Sequence, residues 1–173
     1  MGIKNNPRSG MSWSKMRKIL EQENICNSLK GRIQYFQTRY REAHDQTSRV
    51  AIRLDGKEIF TSDYFEFVKK QWELGQQMKQ EVGRIDHGDI YKELNSQGYN
   101  YSFYNSFYAY HNTSIEESLK SSDSMVRLFA ILDKRVGKRR LKKLALEVNK
   151  QPRWLQVFYR LRLETESIQH EEA

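Results

Sequence analysis

Residues 49–61 read RVAIRLDGKEIFT, two β-rich runs hinged on Asp55-Gly56. An Asp-Gly pair between such runs suits a two-residue type I′ turn, whose central residues both need positive φ. That register sets Ile52 opposite Ile59 on one face and Arg53 opposite Glu58 on the other, so one alignment yields an apolar pair and a salt pair. Upstream, Gly31 opens RIQYFQTRYR (32–41), rich in β-branched and aromatic residues, followed by the polar loop EAHDQTS (42–48). The pattern predicts a meander of three antiparallel strands.

Helical spacing surrounds this meander. Trp13, Met16, Ile19 and Leu20 predict a helix from Ser12 that fades between Asn24 and Ser28. Residues 1–11 have no hydrophobic period and read as a flexible tail, with Met11 a second candidate start. After the hairpin, Asp63 and Glu66 have capping-box spacing. The stripe Phe65, Val68, Trp72, Gly75 and Met78 then predicts a helix packed on the sheet, ending near Gly83 to Gly88.

Residues 99–112, YNYSFYNSFYAYHN, hold seven Tyr or Phe in fourteen positions. They read either as a core-facing helical stripe (Phe103, Phe107, Tyr110) or as a base-stacking platform. Ser114 and Glu117 open a short helix. Met125, Leu128, Phe129, Leu132 and Val136 form a second stripe that breaks at Gly137. Leu141, Leu144, Ala145 and Val148 resume it with a phase slip, Asn149 ends it, and Pro152 starts a last helix whose apolar face holds Trp154 or Leu155, Phe158 and Leu161. The acidic SIQHEEA (167–173) reads as a frayed tail. The expected fold is α+β: an N-terminal helix, a small three-stranded antiparallel sheet covered by a helix, and a helical C-terminal part. Its organisation is a tail at 1–11, an α+β part at 12–98, an aromatic-rich and basic helical part at 99–166, and a tail at 167–173.

Charge is concentrated. Between Lys134 and Arg162 lie eleven of the thirty basic residues and one acid, Glu147, so the segment carries +10 where the whole chain carries +8. An anionic partner, nucleic acid or an acidic protein surface, is the expectation. Cys26 is the only cysteine, which excludes an intramolecular disulfide and a Cys-rich metal site, and it reads as a small buried side chain. No apolar run approaches bilayer length and no leader pattern is present, so a cytoplasmic protein without membrane contact is expected. No phosphate loop, dinucleotide fingerprint, zinc-protease helix or nucleophile elbow occurs, and no cofactor is expected.

Within DKRVGKRRLKK (133–143), Lys138 and Lys142 are i, i+4 neighbours, as are Arg139 and Lys143. Like charges at that spacing weaken a helix, whereas bound phosphate would offset them. Lys138, Arg139, Arg140, Lys142, Lys143 and Arg153 are therefore the candidate anion contacts. The alternative is a solvated face, or internal pairing with acids such as Asp133, Glu147 and Glu164. The following LKKLALEVNKQPRWLQVFYRLRLE overlays loosely on a helix-turn-helix, with Ala145 between helices and Gln151, Arg153, Gln156 and Arg160 toward a groove. A plain helical hairpin fits as well. Finally, TRYREAHD (38–45) clusters Arg39, Arg41, His44 and Asp45, of which Arg39, His44 and Asp45 are low-ranked candidates for a phosphodiesterase or nuclease site. The other histidines are scattered, and a solvated turn is the simpler reading.

Three blocks carry a resemblance: SWSKMRK (12–18), LKGRIQYFQTRYREAHD (29–45) with IRLDGKEIF (52–60), and ILDKRVGKRRL (131–141) with WLQVFYRLRLE (154–164). Together they resemble a family of small bacterial proteins of unknown function across nearly all of residues 12–166. T-R-Y-R-x-A-H-D and D-x-R-V-G-K-R-x-L are its more specific strings. The resemblance implies a bacterial cytoplasmic setting and brings no activity with it. The leading expectation is a non-enzymatic module that binds RNA or DNA through a basic helical face. One rival is a subunit docking an acidic protein, anchored by the aromatic span. The other is a metal-dependent nuclease.

Overall fold

The computed structural model describes residues 10–39 and 48–170. Three strands, β1 (Ile33–Arg39), β2 (Ser48–Leu54) and β3 (Lys57–Asp63), pair antiparallel in chain order. Asp55 and Gly56 have φ of 52° and 82°, the two positive values that a type I′ turn requires. Arg32 ties the turn to the start of β1, its Nη2 2.8 Å from Asp55 Oδ2.

The hairpin register departs from expectation at one point. Arg53 lies opposite Glu58 as predicted, but Ile52 lies opposite Phe60, not Ile59. A bulge at this step leaves Ile59 as the extra residue. It turns Phe60 onto the inner face, where its ring meets Trp154 at 4.3 Å between centroids.

Among the described residues eight α-helices complete the fold: α1 (Trp13–Lys18), α2 (Tyr64–Val82), α3 (His87–Gln97), α4 (Tyr104–His111), α5 (Ile115–Leu119), α6 (Ser124–Ile131), α7 (Lys138–Leu144) and α8 (Arg153–Thr165). A π turn at Ile19–Glu23 extends α1, and a 3₁₀ segment at Ala145–Lys150 joins α7 to α8. The π turn places Glu21 beside the sheet, where its Oε1 accepts from Tyr35 N at 2.8 Å. Gln37 Oε1 accepts from Phe103 N at 2.8 Å, and these contacts help blunt the β1 edge.

One hydrophobic core runs from Met16 to Leu163. Ile33, Tyr35, Val50, Ile52 and Phe60 form its sheet side. Tyr35 meets Phe103 at the foot of α4 and Phe129 of α6 edge-on, with centroids 5.6 and 5.5 Å away. The aromatic span is therefore core: Phe103, Phe107 and Tyr110 are buried, which removes them as a stacking platform or a docking anchor. Cys26 is buried and free. Ser114 and Glu117 make a full capping box.

The expected stripe on α2 is corrected. Phe65 and Trp72 are 68% and 66% exposed, and Val68 is also exposed. The buried face carries Phe67 and Gly75 and packs against Ile90 and Leu94 of α3 in a second, smaller cluster. Helix α2 follows β3 with no loop between them, so its rotation is fixed by the strand end. Rings from α4, α6 and α8 already occupy the inner face of the sheet.

Candidate nucleic-acid interface

The candidate site is built on the loop between α6 and α7. Asp133, with no side-chain exposure, accepts from Arg135 N at 2.8 Å, from Arg135 Nη2 at 2.7 Å and from the Tyr110 hydroxyl. Burial and the adjacent carboxylate push the Tyr110 hydroxyl well above its ordinary range, so it stays protonated and donates. Asn24 Nδ2 donates to the same hydroxyl at 3.0 Å. On the backbone, Cys26 N donates to Leu132 O at 2.9 Å and Lys134 N to Asn24 O at 2.8 Å. From the far side, the buried Arg162 donates to Val136 O at 3.0 Å and pairs with Glu166 at 2.6 Å. The loop is held from three directions before it reaches Gly137.

Gly137 caps α7 with its backbone, at φ −81° and ψ 167°. Leu141 turns inward as the sole buried residue of the helix, so Lys138, Arg139, Arg140, Lys142 and Lys143 all face solvent. Gly137, Arg139, Arg140 and Lys143 line an open cleft of about 390 Å³. Lys138 and Lys142 stand on the adjoining strip of the helix. Arg153 lies on another element, in the first turn of α8, and does not line the cleft.

The acids proposed as internal partners are engaged elsewhere. Asp133 holds Arg135, Glu147 holds Lys150 at 3.1 Å, and Glu164 meets His170 at 3.5 Å. Arg140 alone in the cluster has a counter-charge, Glu116 at 3.9 Å and well exposed. Among the described residues, no acid lies within ion-pair distance of Lys138, Arg139, Lys142, Lys143 or Arg153. Three cations also fill the first turn of α7, which itself contains no acid. The helix dipole and the i, i+4 repulsions both oppose that arrangement. Positive charge is thus gathered at a local cost to helix stability, which an anion in the cleft would relieve.

The groove-reading side chains of the helix-turn-helix overlay are differently employed. Gln151 Oε1 accepts from Arg127 Nε at 2.9 Å, Gln156 Nε2 donates to Gln151 O at 2.8 Å, and Arg160 Nη2 donates to Gln156 Oε1 at 3.0 Å. Of that set, Arg153 is the one exposed cation. The nuclease candidates His44 and Asp45 lie outside the described residues; the backbone of Arg39 ends β1 opposite Ser48. Among the described residues no group of His, Cys, Asp and Glu is arranged to hold a metal ion. No helix there is long and apolar enough to cross a membrane.

Sequence reasoning found the cations and missed what aims them. Gly137 as a cleft wall, with Asp133 and Arg135 as supports, lies within the D-x-R-V-G string, their one visible signal, whereas Tyr110 and Arg162 stand far from it in sequence and carry none.

The chain belongs to the SF0329 protein family, whose signature matches residues 12–163. No curated protein and no solved structure matches it significantly.

Proposed function

We propose that this member of the SF0329 family is a non-enzymatic module that binds RNA or DNA through the phosphate backbone. Arg139, Arg140 and Lys143 would hold phosphate in the cleft beside Gly137, while Lys138, Lys142 and Arg153 extend the contact to neighbouring phosphates. The observation that carries this reading is a solvent-facing cluster of cations around a cleft, almost without acidic partners among the described residues. Guanidinium groups suit the bidentate geometry of phosphate oxygens, and lysine adds point charge.

Backbone contact without base reading is favoured, because Gln151, Gln156 and Arg160 are tied into their own loop. Affinity should therefore vary little with sequence. A bacterial cytoplasmic setting, where nucleic acids are abundant polyanions, suits this reading, as does a single unpaired cysteine.

The test is a gel-shift comparison of the native chain with R139A/R140A/K143A on single- and double-stranded RNA and DNA. The native chain should shift nucleic acid and carry absorbance at 260 nm through purification. The triple variant should lose the shift while keeping its circular dichroism. Equal shifts from both proteins, or none from the native chain, would refute the proposal.

A further inference from the structure

Exposed apolar side chains among the described residues gather on the hairpin formed by α2 and α3, whose residues take no part in lining the basic cleft. Six of the eight large apolar side chains exposed among the described residues belong to this hairpin or its connecting turn. Phe65, Val68 and Trp72 recur at i, i+3 and i+7 and so share one face of α2. Ile85, 40% exposed, borders that face where it packs over the buried Gly75, a built Cβ there lying 3.8 Å from Ile85 Cδ1. Val82 closes its far end, 65% exposed. The stripe runs the length of a 19-residue helix, about 28 Å.

We propose that this stripe pairs with the same stripe of a second copy, with the two α2 helices antiparallel across a two-fold axis near Trp72. Three features favour a second copy over another occupant. The first is area. The exposed parts of the five side chains come to roughly 500 Å², so pairing two copies buries about 1,000 Å², near the threshold for a specific interface. The second is charge. Helix α2 holds three Lys (69, 70, 79) and three Glu (66, 73, 81). It is locally neutral in a basic protein, so the stripe can meet its own copy without local repulsion.

The third feature is self-complementarity. Lys69 and Glu73 flank the stripe on one side, one turn apart, and Glu73, which meets Lys70 of its own helix at 3.7 Å, keeps 44% of its side chain exposed. Antiparallel pairing about this axis sets Lys69 of one copy toward Glu73 of the other, and does so twice. The Lys79 stem then lies toward Phe65 of the second copy, a cation–aromatic arrangement. A dimer of this kind would present two basic clefts and raise avidity for a polyanion without any new phosphate contact.

Sedimentation velocity across the micromolar range tests the proposal, independently of any nucleic acid. The native chain should shift from monomer to dimer with concentration. F65E and W72E, both at exposed positions, should each weaken self-association by roughly 30-fold or more with unchanged circular dichroism. In a mixture, the charge pair should be reversible: K69E and E73K should each weaken the dimer alone, and the two variants together should restore it. A native chain that stays monomeric overturns the proposal and assigns the stripe to a different partner. A dimer indifferent to F65E and W72E overturns it too.

Discussion

The Arg135 guanidinium chelates the carboxylate of Asp133 two residues before it, with Nη2 2.7 Å from Oδ2 and Nε 3.0 Å from Oδ1. The carboxylate has no exposure, while half the arginine side chain reaches solvent. The hydrogen bonds from Arg135 are what make a buried charge tolerable at the mouth of the basic cleft, and the carboxylate holds the guanidinium pKa above its usual value.

Removing the arginine strands that charge. R135A should lower stability by about 2–3 kcal/mol, toward the low end for a broken buried pair because Tyr110 and the backbone still donate to Asp133. Urea unfolding measures it. R135K should recover only part of the loss, since an ammonium cannot reproduce the two-nitrogen grip.

Gly98 closes α3 at φ +91°, and a Cβ there would lie 2.5 Å from Trp154 Nε1. The same indole nitrogen donates to Gln97 O at 3.1 Å. G98A should therefore cost about 2–4 kcal/mol, from backbone strain and displacement of the indole together. Trp154 fluorescence should change with it. By contrast, a Cβ at Gly137 meets nothing within 4 Å.

That openness allows stability and binding to be separated. G137D places a carboxylate in the cleft at a position that accepts a helix cap. Thermal stability should change by only a few tenths of a kcal/mol, while nucleic-acid affinity should fall by about tenfold or more. Equal losses in both would mean that Gly137 serves the fold and not the cleft.

Asp123 caps α6, accepting from Met125 N at 2.9 Å and from the Ser106 hydroxyl at 2.7 Å. Burial raises its carboxyl above the ordinary value of 3.8, with the hydrogen bonds pulling the other way. The folded state therefore holds this proton more tightly than the unfolded chain. Its contribution is fully present below the ordinary carboxylate value and is lost as pH rises through the raised one. Asparagine keeps the cap without titrating. The melting temperature of D123N relative to the native chain should rise with pH across that window and then level off.

The hairpin was legible because its information is local: Asp55-Gly56 supplies the turn, and Arg53 with Glu58 supplies the register. The bulge was not, since it answers to Trp154, far along the chain from Phe60. On α2, periodicity offered two overlapping faces. Phe65-Val68-Trp72 and Phe67-Leu74-Met78 are both helical stripes, and only the placement of α3 decides which is buried. The cations were legible because exposed charge needs no partner to be recognised. Their framing was not, because Asn24, Tyr110, Asp133 and Arg162 meet only in the folded chain.

The most direct test of the central claim is fluorescence anisotropy of labelled DNA and RNA across a salt series. On duplex DNA, log affinity should fall linearly with log salt at a slope of about −3.5 to −5.5, as expected for four to six neutralised phosphates. Single substitutions at Arg139, Arg140 or Lys143 should each flatten that slope by about one without changing sequence preference. Binding that ignores salt, or no binding even at low salt, would contradict the assignment of the basic face to nucleic acid.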